Sequence, residues 1–152
     1  MRISDVLARK SGAVVLVGQK DILQSAIESM HAAGIGSVVV INEMSGEPVG
    51  IVSQTEILGA FHDLGSAALS QCVNFIMRRT ALHCKDTDDV KSAIAYMVQS
   101  RVRHLLVLDL NGQMNGLISM GDLVAARLSA YQLETDVLRD IARASGLVST
   151  FR

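Results

Sequence analysis

The sequence SAIESM at residues 25–30 returns 67 positions later as SAIAYM at residues 92–97. Two further pairs of segments align with each other in the same order: 35–42 with 102–109, and 50–57 with 116–123. A motif that repeats at such a period is typical of a supersecondary unit that buries its apolar face by stacking on its own copy. The sequence therefore predicts two similar halves that pack together through their cores.

The composition is that of a globular chain: 152 residues, 49% hydrophobic and 19% charged, with a formal net charge of −1. One half alone would be close to the size at which core burial becomes marginal, whereas a ~150-residue fold buries enough surface. The absence of basic runs argues against nucleic acid and anionic membrane surfaces as partners. No apolar run approaches the ~20 residues of a membrane helix, and the first residues lack a signal-peptide layout. The prediction is a cytoplasmic protein.

Apolar residues at i, i+3, i+4 and i+7 predict one amphipathic helix in each half: Leu23, Ala26, Ile27 and Met30, then Val90, Ala93, Ile94 and Met97. Asp21, and Asp88 or Asp89, stand at the predicted helix starts, where a carboxylate caps free N–H groups. Gly34 stands where a helix commonly ends in a left-handed residue.

Unbroken apolar runs at residues 38–41 and 105–108 predict central strands that are covered on both faces. A turn follows each run, and the Asn111-Gly112 pair in the second half is a strong hairpin signal. Shorter apolar runs predict an earlier strand in each half, at residues 13–17 and 81–84. Each half therefore reads strand, helix, strand, strand, helix, which is an α/β fold.

This order, with GIVSQTEI and GLISMGDL closing a strand-to-helix corner in the two halves, resembles the CBS domain, named for cystathionine β-synthase. The resemblance covers essentially the whole chain as a tandem pair, the arrangement called a Bateman module. The domains it implies are CBS domain 1 at residues 1–66, CBS domain 2 at residues 67–130, and a C-terminal helix and tail at residues 131–152.

The second half carries the most specific signs of this resemblance. RVRHLLVLD at residues 101–109 is similar to the family's Arg-His-Leu-Pro-Val-Val-Asp strand, and SMGD at residues 119–122 is similar to its Ser/Thr-x-x-Asp ligand motif. The chain departs from the family twice, because Leu106 replaces a common proline and Glu56 stands where the first half would usually have Asp.

The resemblance implies a regulatory function. Tandem CBS pairs typically bind an adenosine-containing ligand (AMP, ADP, ATP, NAD(H) or S-adenosylmethionine) in the cleft between the copies and regulate a partner protein. A catalytic role is not predicted, because no P-loop, G-x-S-x-G or H-E-x-x-H motif is present. Cys72 and Cys84 lack zinc-ligand spacing, so no metal site is predicted either. A ligand-free dimerisation scaffold is the alternative function.

The corner at Ser119 and Asp122 has the chemistry of a nucleotide site. A helix start presents free N–H groups to a phosphate, the serine hydroxyl donates, and the aspartate accepts from ribose hydroxyls. The same spacing also forms a capping box, in which the acid binds the N-cap amide. Glu56 has the length to close such a box, whereas the shorter Asp122 is expected to close it less well and to leave room for a ligand. The predicted binding residues at this corner are Ser119, Met120, Gly121 and Asp122.

Arg103 and His104 stand where the first half has Gly36 and Ser37. The resemblance implies that residues at the start of this strand reach the phosphates of the ligand. The alternatives are that Arg103 pairs with a surface carboxylate and that His104 is only a strand-end histidine. The resemblance further implies that the loop before the preceding strand lines the adenine, through Thr80, Ala81 and Leu82.

The chain beyond the second half, from about residue 123 to residue 144, predicts one long helix. Leu133, Val137, Leu138 and Ile141 recur on it at i, i+4, i+5 and i+8. We call these four residues the C-terminal stripe. An apolar stripe of this size is expected to be buried against another surface. We predict that a second copy of the chain buries it in a homodimer. The alternative is that the helix folds back onto its own module.

Overall fold

The structure is a computed structural model that describes residues 1–79 and 82–145. The predicted order of elements in each half is confirmed, and an additional N-terminal helix precedes it. The elements are α1 (Ile3–Arg9), β1 (Leu16–Gly18), α2 (Leu23–Ala33), β2 (Ser37–Ile41), β3 (Pro48–Ser53), α3 (Gln54–Leu64), two 3₁₀ turns (Gly65–Ser70 and Val73–Phe75), β4 (His83–Lys85), α4 (Val90–Ser100), β5 (His104–Leu108), β6 (Met114–Ser119) and α5 (Met120–Ala144).

Each half contains one three-stranded sheet, and the two sheets have the same topology. The middle strand, β2 or β5, pairs in parallel with the first strand and antiparallel with the third. Both antiparallel pairs carry a register shift at the same place, between Val40 and Ile41 in one half and between Val107 and Leu108 in the other. The sequence repeat is therefore a structural repeat down to its irregularities.

The two halves are joined by an apolar cluster between their sheets. Val39 and Ile51 from the first half are buried against Leu106 and Leu117 from the second. Each half also has its own buried cluster on the opposite face of its sheet. Both faces of β2 and β5 are thus covered, as their unbroken apolar runs predict.

Packing crosses the sequence boundary between the halves. The α1 helix belongs to the first half by sequence, but Ile3 and Val6 are buried in the core of the second half. The Ile3 amide also donates to the Asp88 carbonyl at 2.9 Å. In return, Ala68 and Val73 from the 3₁₀ turns complete the core of the first half. The predicted boundary between residues 66 and 67 follows the sequence repeat. The core of each half nevertheless includes a segment that lies beyond this boundary in the sequence.

The helix starts were predicted with mixed success. Asp89 caps α4 as expected, because its carboxylate accepts from the Lys91 amide at 2.9 Å. The prediction for Asp21 is wrong. Its carboxylate accepts instead from the Gly18 amide at 2.7 Å, since the tight turn after β1 brings that amide within reach, and Ile22 takes the N-cap position of α2.

The helix ends show a difference between the halves. Gly34 ends α2 in the left-handed conformation, with φ of 64°, as predicted. The equivalent residue at the end of α4 is Arg101, which adopts φ of 53°. It is the sole non-glycine residue with positive φ in the described part of the chain. A side chain in this conformation costs about 1–2 kcal/mol, so the second half carries strain that the first half avoids.

The long C-terminal helix is confirmed, but it begins earlier than predicted. α5 starts directly after Ser119 and is continuous to Ala144, so the predicted division at residue 131 falls inside it. All four residues of the C-terminal stripe are about half exposed or more. The start of α5 packs on its own module through Leu123 and Ala126, whereas the C-terminal stripe is not covered by the described residues. Within residues 1–79 and 82–145, none of the helices combines the length and apolarity that crossing a membrane requires.

Candidate functional site

Two cavities open between the halves, and each combines elements of both. The first, which we call the large cavity, has a volume of about 520 Å³. It is lined by the loop before β1 (residues 10–15), the junction of α2 and β2 (residues 33–37), and the corner of Ser119 and Asp122. Aliphatic side chains of Val14, Val15 and Ile35 are among its walls.

The second, which we call the arginine cavity, has a volume of about 130 Å³. It is lined by the corner at residues 53–56, by Arg78 and Leu82 from the loop before β4, and by the junction of α4 and β5 at residues 101–104. The two cavities are thus pseudo-symmetric: each takes its corner from one half, and its loop and helix-to-strand junction from the other.

The Ser119 corner closes a complete capping box. Asp122 donates its amide to Ser119 Oγ at 3.1 Å and accepts the Ser119 amide on Oδ2 at 2.8 Å. The expectation that Asp122 closes the box less well than Glu56 is therefore wrong, because the first turn of α5 brings the shorter carboxylate to the amide. Lys10 Nζ also binds Oδ2, at 2.9 Å. Oδ1 accepts no hydrogen bond from the described residues.

These contacts set the charge of Asp122. Burial alone would raise the pKa of its carboxyl, but the Ser119 amide and the Lys10 ammonium together lower the pKa below its ordinary value. Asp122 is therefore ionised at neutral pH, with one carboxylate oxygen available. That oxygen lies on a residue that lines the large cavity and can accept hydrogen bonds from hydroxyl groups.

The Ser53 corner uses its acid differently. Ser53 donates its amide to Glu56 Oε2 at 2.9 Å, and the Ser53 hydroxyl binds the same oxygen. Arg78 Nε then binds Oε1 at 3.2 Å. Both oxygens of Glu56 are thus engaged by the protein, and its side chain is only 11% exposed. A hydroxyl ligand would have to share Oε1 with Arg78 on a side chain that is largely buried.

The residues that the sequence analysis assigns to one site are divided between the two cavities. Arg103 and Leu82 line the arginine cavity, whereas Ser119 and Asp122 line the large one. Neither Met120 nor Gly121 is among the residues that line the two cavities, and Met120 packs against the core of the second half. The remaining two predicted residues, Thr80 and Ala81, lie outside the described residues.

Arg103 has a free side chain in the described part of the chain. Its guanidinium makes no ion pair or hydrogen bond there, so the alternative pairing with a surface carboxylate is not observed. Its backbone carbonyl accepts from the Met120 amide at 2.8 Å, which ties the start of β5 to the start of α5. The equivalent bond in the first half runs from the Gln54 amide to the Gly36 carbonyl, at 3.2 Å.

Gly36 and His104 line both cavities. A Cβ added at Gly36 would lie 4.0 Å from His104 Nε2. Burial lowers the pKa of His104 below its ordinary value, the Lys10 and Arg103 charges lower it further, and Asp122 and Glu56 oppose them. His104 is therefore neutral at pH 7.

Among the cavity residues that the sequence analysis did not assign to a site are Lys10 and Arg101. Lys10 meets Asp122 from 112 positions away, which no local pattern reveals. Alignment of the halves pairs Arg101 with Gly34 and could have marked it as unusual. Within residues 1–79 and 82–145, no group of three or more His, Cys, Asp and Glu side chains is arranged to hold a metal ion.

Comparison with known proteins decides the family. The family model for the CBS domain matches residues 3–63 and again residues 73–129. This chain belongs to the CBS domain family. Its two CBS domains correspond to the two halves described above, and the two cavities lie in the cleft between them.

Solved structures of CBS-domain proteins have the same fold. A CBS-domain containing protein, ATU1752, from Agrobacterium tumefaciens is 33% identical, with a TM-score of 0.78 over 83% of this chain and 92% of that one. The CBS domain protein PAE2072 from Pyrobaculum aerophilum, complexed with AMP, is 24% identical, with a TM-score of 0.75 over 89% of this chain and 99% of that one.

Relatives found in sequence have comparable identity. An uncharacterized protein of Methanopyrus kandleri, MK0525, is 28% identical over 123 residues, which cover 76% of this chain and 62% of that protein. This CBS pair therefore matches about three fifths of that relative's length.

Proposed function

We propose that this CBS pair is a regulatory module that binds an adenine nucleotide in the large cavity and signals to a partner protein. The observation that carries the proposal is the state of Asp122, which is ionised and has Oδ1 available at the edge of the cavity between the two domains. Ribose offers paired hydroxyl donors, and a carboxylate oxygen is a strong acceptor for them.

The cavity suits the rest of such a ligand. Its volume of about 520 Å³ lies within the roughly 300–1,000 Å³ typical of small-molecule sites. The valine and isoleucine side chains in its walls offer an apolar surface to a flat base. The AMP complex of the Pyrobaculum CBS protein supports the choice of an adenine ligand. AMP, ADP, ATP and NAD(H) are the candidate effectors, and none of them acts as a catalytic cofactor in this proposal.

A ligand panel tests the proposal. The purified chain, stripped of ligand by unfolding and refolding, is mixed with AMP, ADP, ATP, NAD, NADH or S-adenosylmethionine, and its melting temperature is measured. A ligand present at a concentration 100 times its Kd stabilises the folded state by about 2.7 kcal/mol. This raises the melting temperature by several degrees. GMP and GTP are the controls for nonspecific phosphate binding. If no adenine compound shifts the melting temperature more than the guanine controls, the chain is a ligand-free scaffold.

The module is further proposed to act as a homodimer that buries the C-terminal stripe. The stripe residues are exposed in the single chain. The charged residues nearby on α5 pair with one another, as Asp136–Arg139 and Asp140–Arg143, and are not part of the stripe. Burying four such side chains per chain supplies several kcal/mol at ~25 cal/mol per Å². A twofold dimer would use the same surface on both chains. The regulated partner, the cytoplasmic location and the absence of catalysis stay predictions from the sequence.

Light scattering tests the dimer. Val137→Lys combined with Ile141→Lys should give a folded monomer, whereas Arg139→Ala combined with Arg143→Ala, on the charged part of the helix, should remain dimeric. Circular dichroism confirms that both variants are folded. A wild-type monomer, or a lysine variant that remains a folded dimer, would contradict the proposal.

A further inference from the structure

We infer that Lys10 is a positioning residue for Asp122, and that it couples ligand binding in the large cavity to the docking of α1 on the second domain. The inference rests on the proposed function and adds a regulatory contact to that site. It predicts that the affinity of the large cavity depends on Lys10 even for a ligand without phosphate, and that a bound ligand holds α1 more firmly in place.

Lys10 connects the end of α1 to the corner that holds Asp122. Its amide donates to the Val6 and Leu7 carbonyls, at 3.2 and 3.1 Å, where the helix ends. Its ammonium donates to the Leu117 carbonyl in β6 and to Asp122 Oδ2 in the first turn of α5, each at 2.9 Å. One side chain therefore joins α1, β6 and α5.

The α1 helix itself lies tightly against the second domain. Ile3 and Val6 are buried in the core of that domain. A Cβ added at Gly116 in β6 would lie 2.8 Å from Leu7 Cδ2, so the glycine lets the helix approach the strand closely. Apolar packing docks the helix, and the Lys10 side chain is the contact through which this docking reaches Asp122.

The first domain makes the equivalent contact in another way. Ile51 aligns with Leu117, and its main chain exchanges two hydrogen bonds with the main chain of Arg78, at 2.9 and 3.1 Å. That contact does not depend on the Arg78 side chain. In the second domain the lysine side chain binds the Leu117 carbonyl instead, so a single substitution can remove the link between the preceding segment and the corner.

Lys10 fixes the orientation of the Asp122 carboxylate. The Ser119 amide and the Lys10 ammonium both bind Oδ2, at 2.8 and 2.9 Å, and Oδ1 accepts no hydrogen bond from the described residues. The side chains of Lys10 and Asp122 are 35% and 27% exposed, and a partly buried ion pair is screened less than one on the open surface. Without Lys10 the carboxylate keeps the Ser119 contact but gains rotational freedom, which a ligand would have to remove on binding.

Thermodynamic reciprocity extends the effect to α1. If the docked helix raises the affinity for a ligand through Lys10, the bound ligand must favour the docked helix by the same factor. Coupling between two sites is typically about 5- to 150-fold, and a single partly exposed contact belongs at the lower end, about fivefold. The state of the cavity is thereby transmitted to the helix that precedes the first domain.

Calorimetry with adenosine and AMP tests the positioning role. Lys10→Met should weaken the binding of both compounds by the same factor, about fivefold, because the loss is at the ribose. Lys10→Arg retains the charge and the donors and should recover most of the affinity. Arg9→Met is the matched control, since it removes the same charge from a neighbouring residue that does not line the large cavity, and it should change neither affinity.

A double-mutant cycle separates positioning from a general effect on the fold. In the Asp122→Ala background, Lys10→Met should cause no further loss of adenosine affinity, since the residue on which it acts is absent. Circular dichroism confirms that each variant is folded.

Hydrogen exchange tests the coupling to α1. With adenosine at saturating concentration, the amides of residues 7–9 in wild type should exchange about fivefold more slowly than without ligand. In Lys10→Met, adenosine at a concentration that saturates the variant should leave their exchange unchanged.

Several results would overturn the inference while leaving the proposed function intact. An unchanged adenosine affinity in Lys10→Met would do so, and a loss confined to AMP would make Lys10 a phosphate contact instead. The same loss in the Asp122→Ala background, or equal slowing of exchange in α1 with and without Lys10, would also contradict it. Failure of both adenosine and AMP to bind wild type would remove the proposed function and the inference together.

Discussion

The two strand-to-helix corners of this CBS pair have the same local motif but different remaining binding capacity. Both close a capping box, with the N-cap amide 2.9 Å from Glu56 in the first domain and 2.8 Å from Asp122 in the second. They differ in where the neighbouring cation binds. Arg78 occupies the second oxygen of Glu56, whereas Lys10 binds the oxygen of Asp122 that the capping box already uses. The motif alone therefore does not decide which carboxylate oxygen is engaged; the cation that reaches the corner from a distant segment does.

The largest expected difference is in AMP affinity, when Asp122 and Glu56 are each replaced by alanine. Asp122→Ala should weaken AMP binding about ten- to a hundredfold, because a hydrogen bond to a charged acceptor contributes about 1.5–3 kcal/mol. Glu56→Ala should change AMP affinity by no more than about threefold, since its oxygens are engaged within the protein. Isothermal calorimetry measures both affinities.

Both acids cap a helix, so each variant must also be melted without ligand. Loss of a cap costs about 0.5–2 kcal/mol, and both variants should lose stability by a similar amount. Equal losses of AMP affinity for the two variants would show that the corners do not differ as described.

A smaller difference between the domains concerns the helix ends. Arg101→Gly should stabilise the protein by about 1 kcal/mol, because glycine adopts the left-handed conformation without the cost that a side chain carries. The reciprocal change, Gly34→Arg, should destabilise by about the same amount. Urea denaturation at pH 7 measures both. A loss of stability for Arg101→Gly would mean that the arginine contributes contacts that outweigh its strain.

The smallest expected effect is the pH dependence that His104 adds to the second domain, at a position where the first domain has Ser37. The pKa of His104 is lowered from 6.5 in the folded state, so the unfolded chain binds more protons just below pH 6.5. Stability should therefore fall as the pH decreases below about 6.5. The lowered pKa of Asp122 acts in a separate window, below 3.8.

His104→Gln isolates this contribution. The free energy of unfolding, measured between pH 7.5 and 5.5, should depend less on pH in the variant than in wild type. Ser37→Ala, at the equivalent position of the first domain, is the control and should retain the wild-type slope. A wild-type slope in His104→Gln would assign the pH dependence to another group.

Much of the fold could be predicted from the sequence because its signals are local. The spacing of apolar residues defines α2 and α4, the unbroken runs define β2 and β5, and Gly34 marks a helix end. Other features depend on tertiary contacts and could not be read this way. Helix α1 packs on the second domain although it precedes the first, and Asp21 turns to the Gly18 amide because of the preceding turn.

The cavities were harder to predict than the fold for the same reason. Residues such as Arg103 and Asp122 are close in sequence, and their resemblance to family motifs suggests one site. The crossing of segments between the domains instead places Asp122 with the loop at residues 10–15 and Arg103 with the corner of Glu56. A contact between residues far apart in the sequence, such as that of Lys10 with Asp122, has no signal in the local sequence pattern.

The most direct test of the difference between the two corners is a crystal structure of the chain with AMP, grown from ligand-stripped protein. We expect AMP in the large cavity, with its ribose hydroxyls donating to Asp122 Oδ1 and with the Glu56–Arg78 ion pair unbroken. Ribose bound to Glu56 in place of Arg78, with Asp122 left uncontacted, would contradict the account.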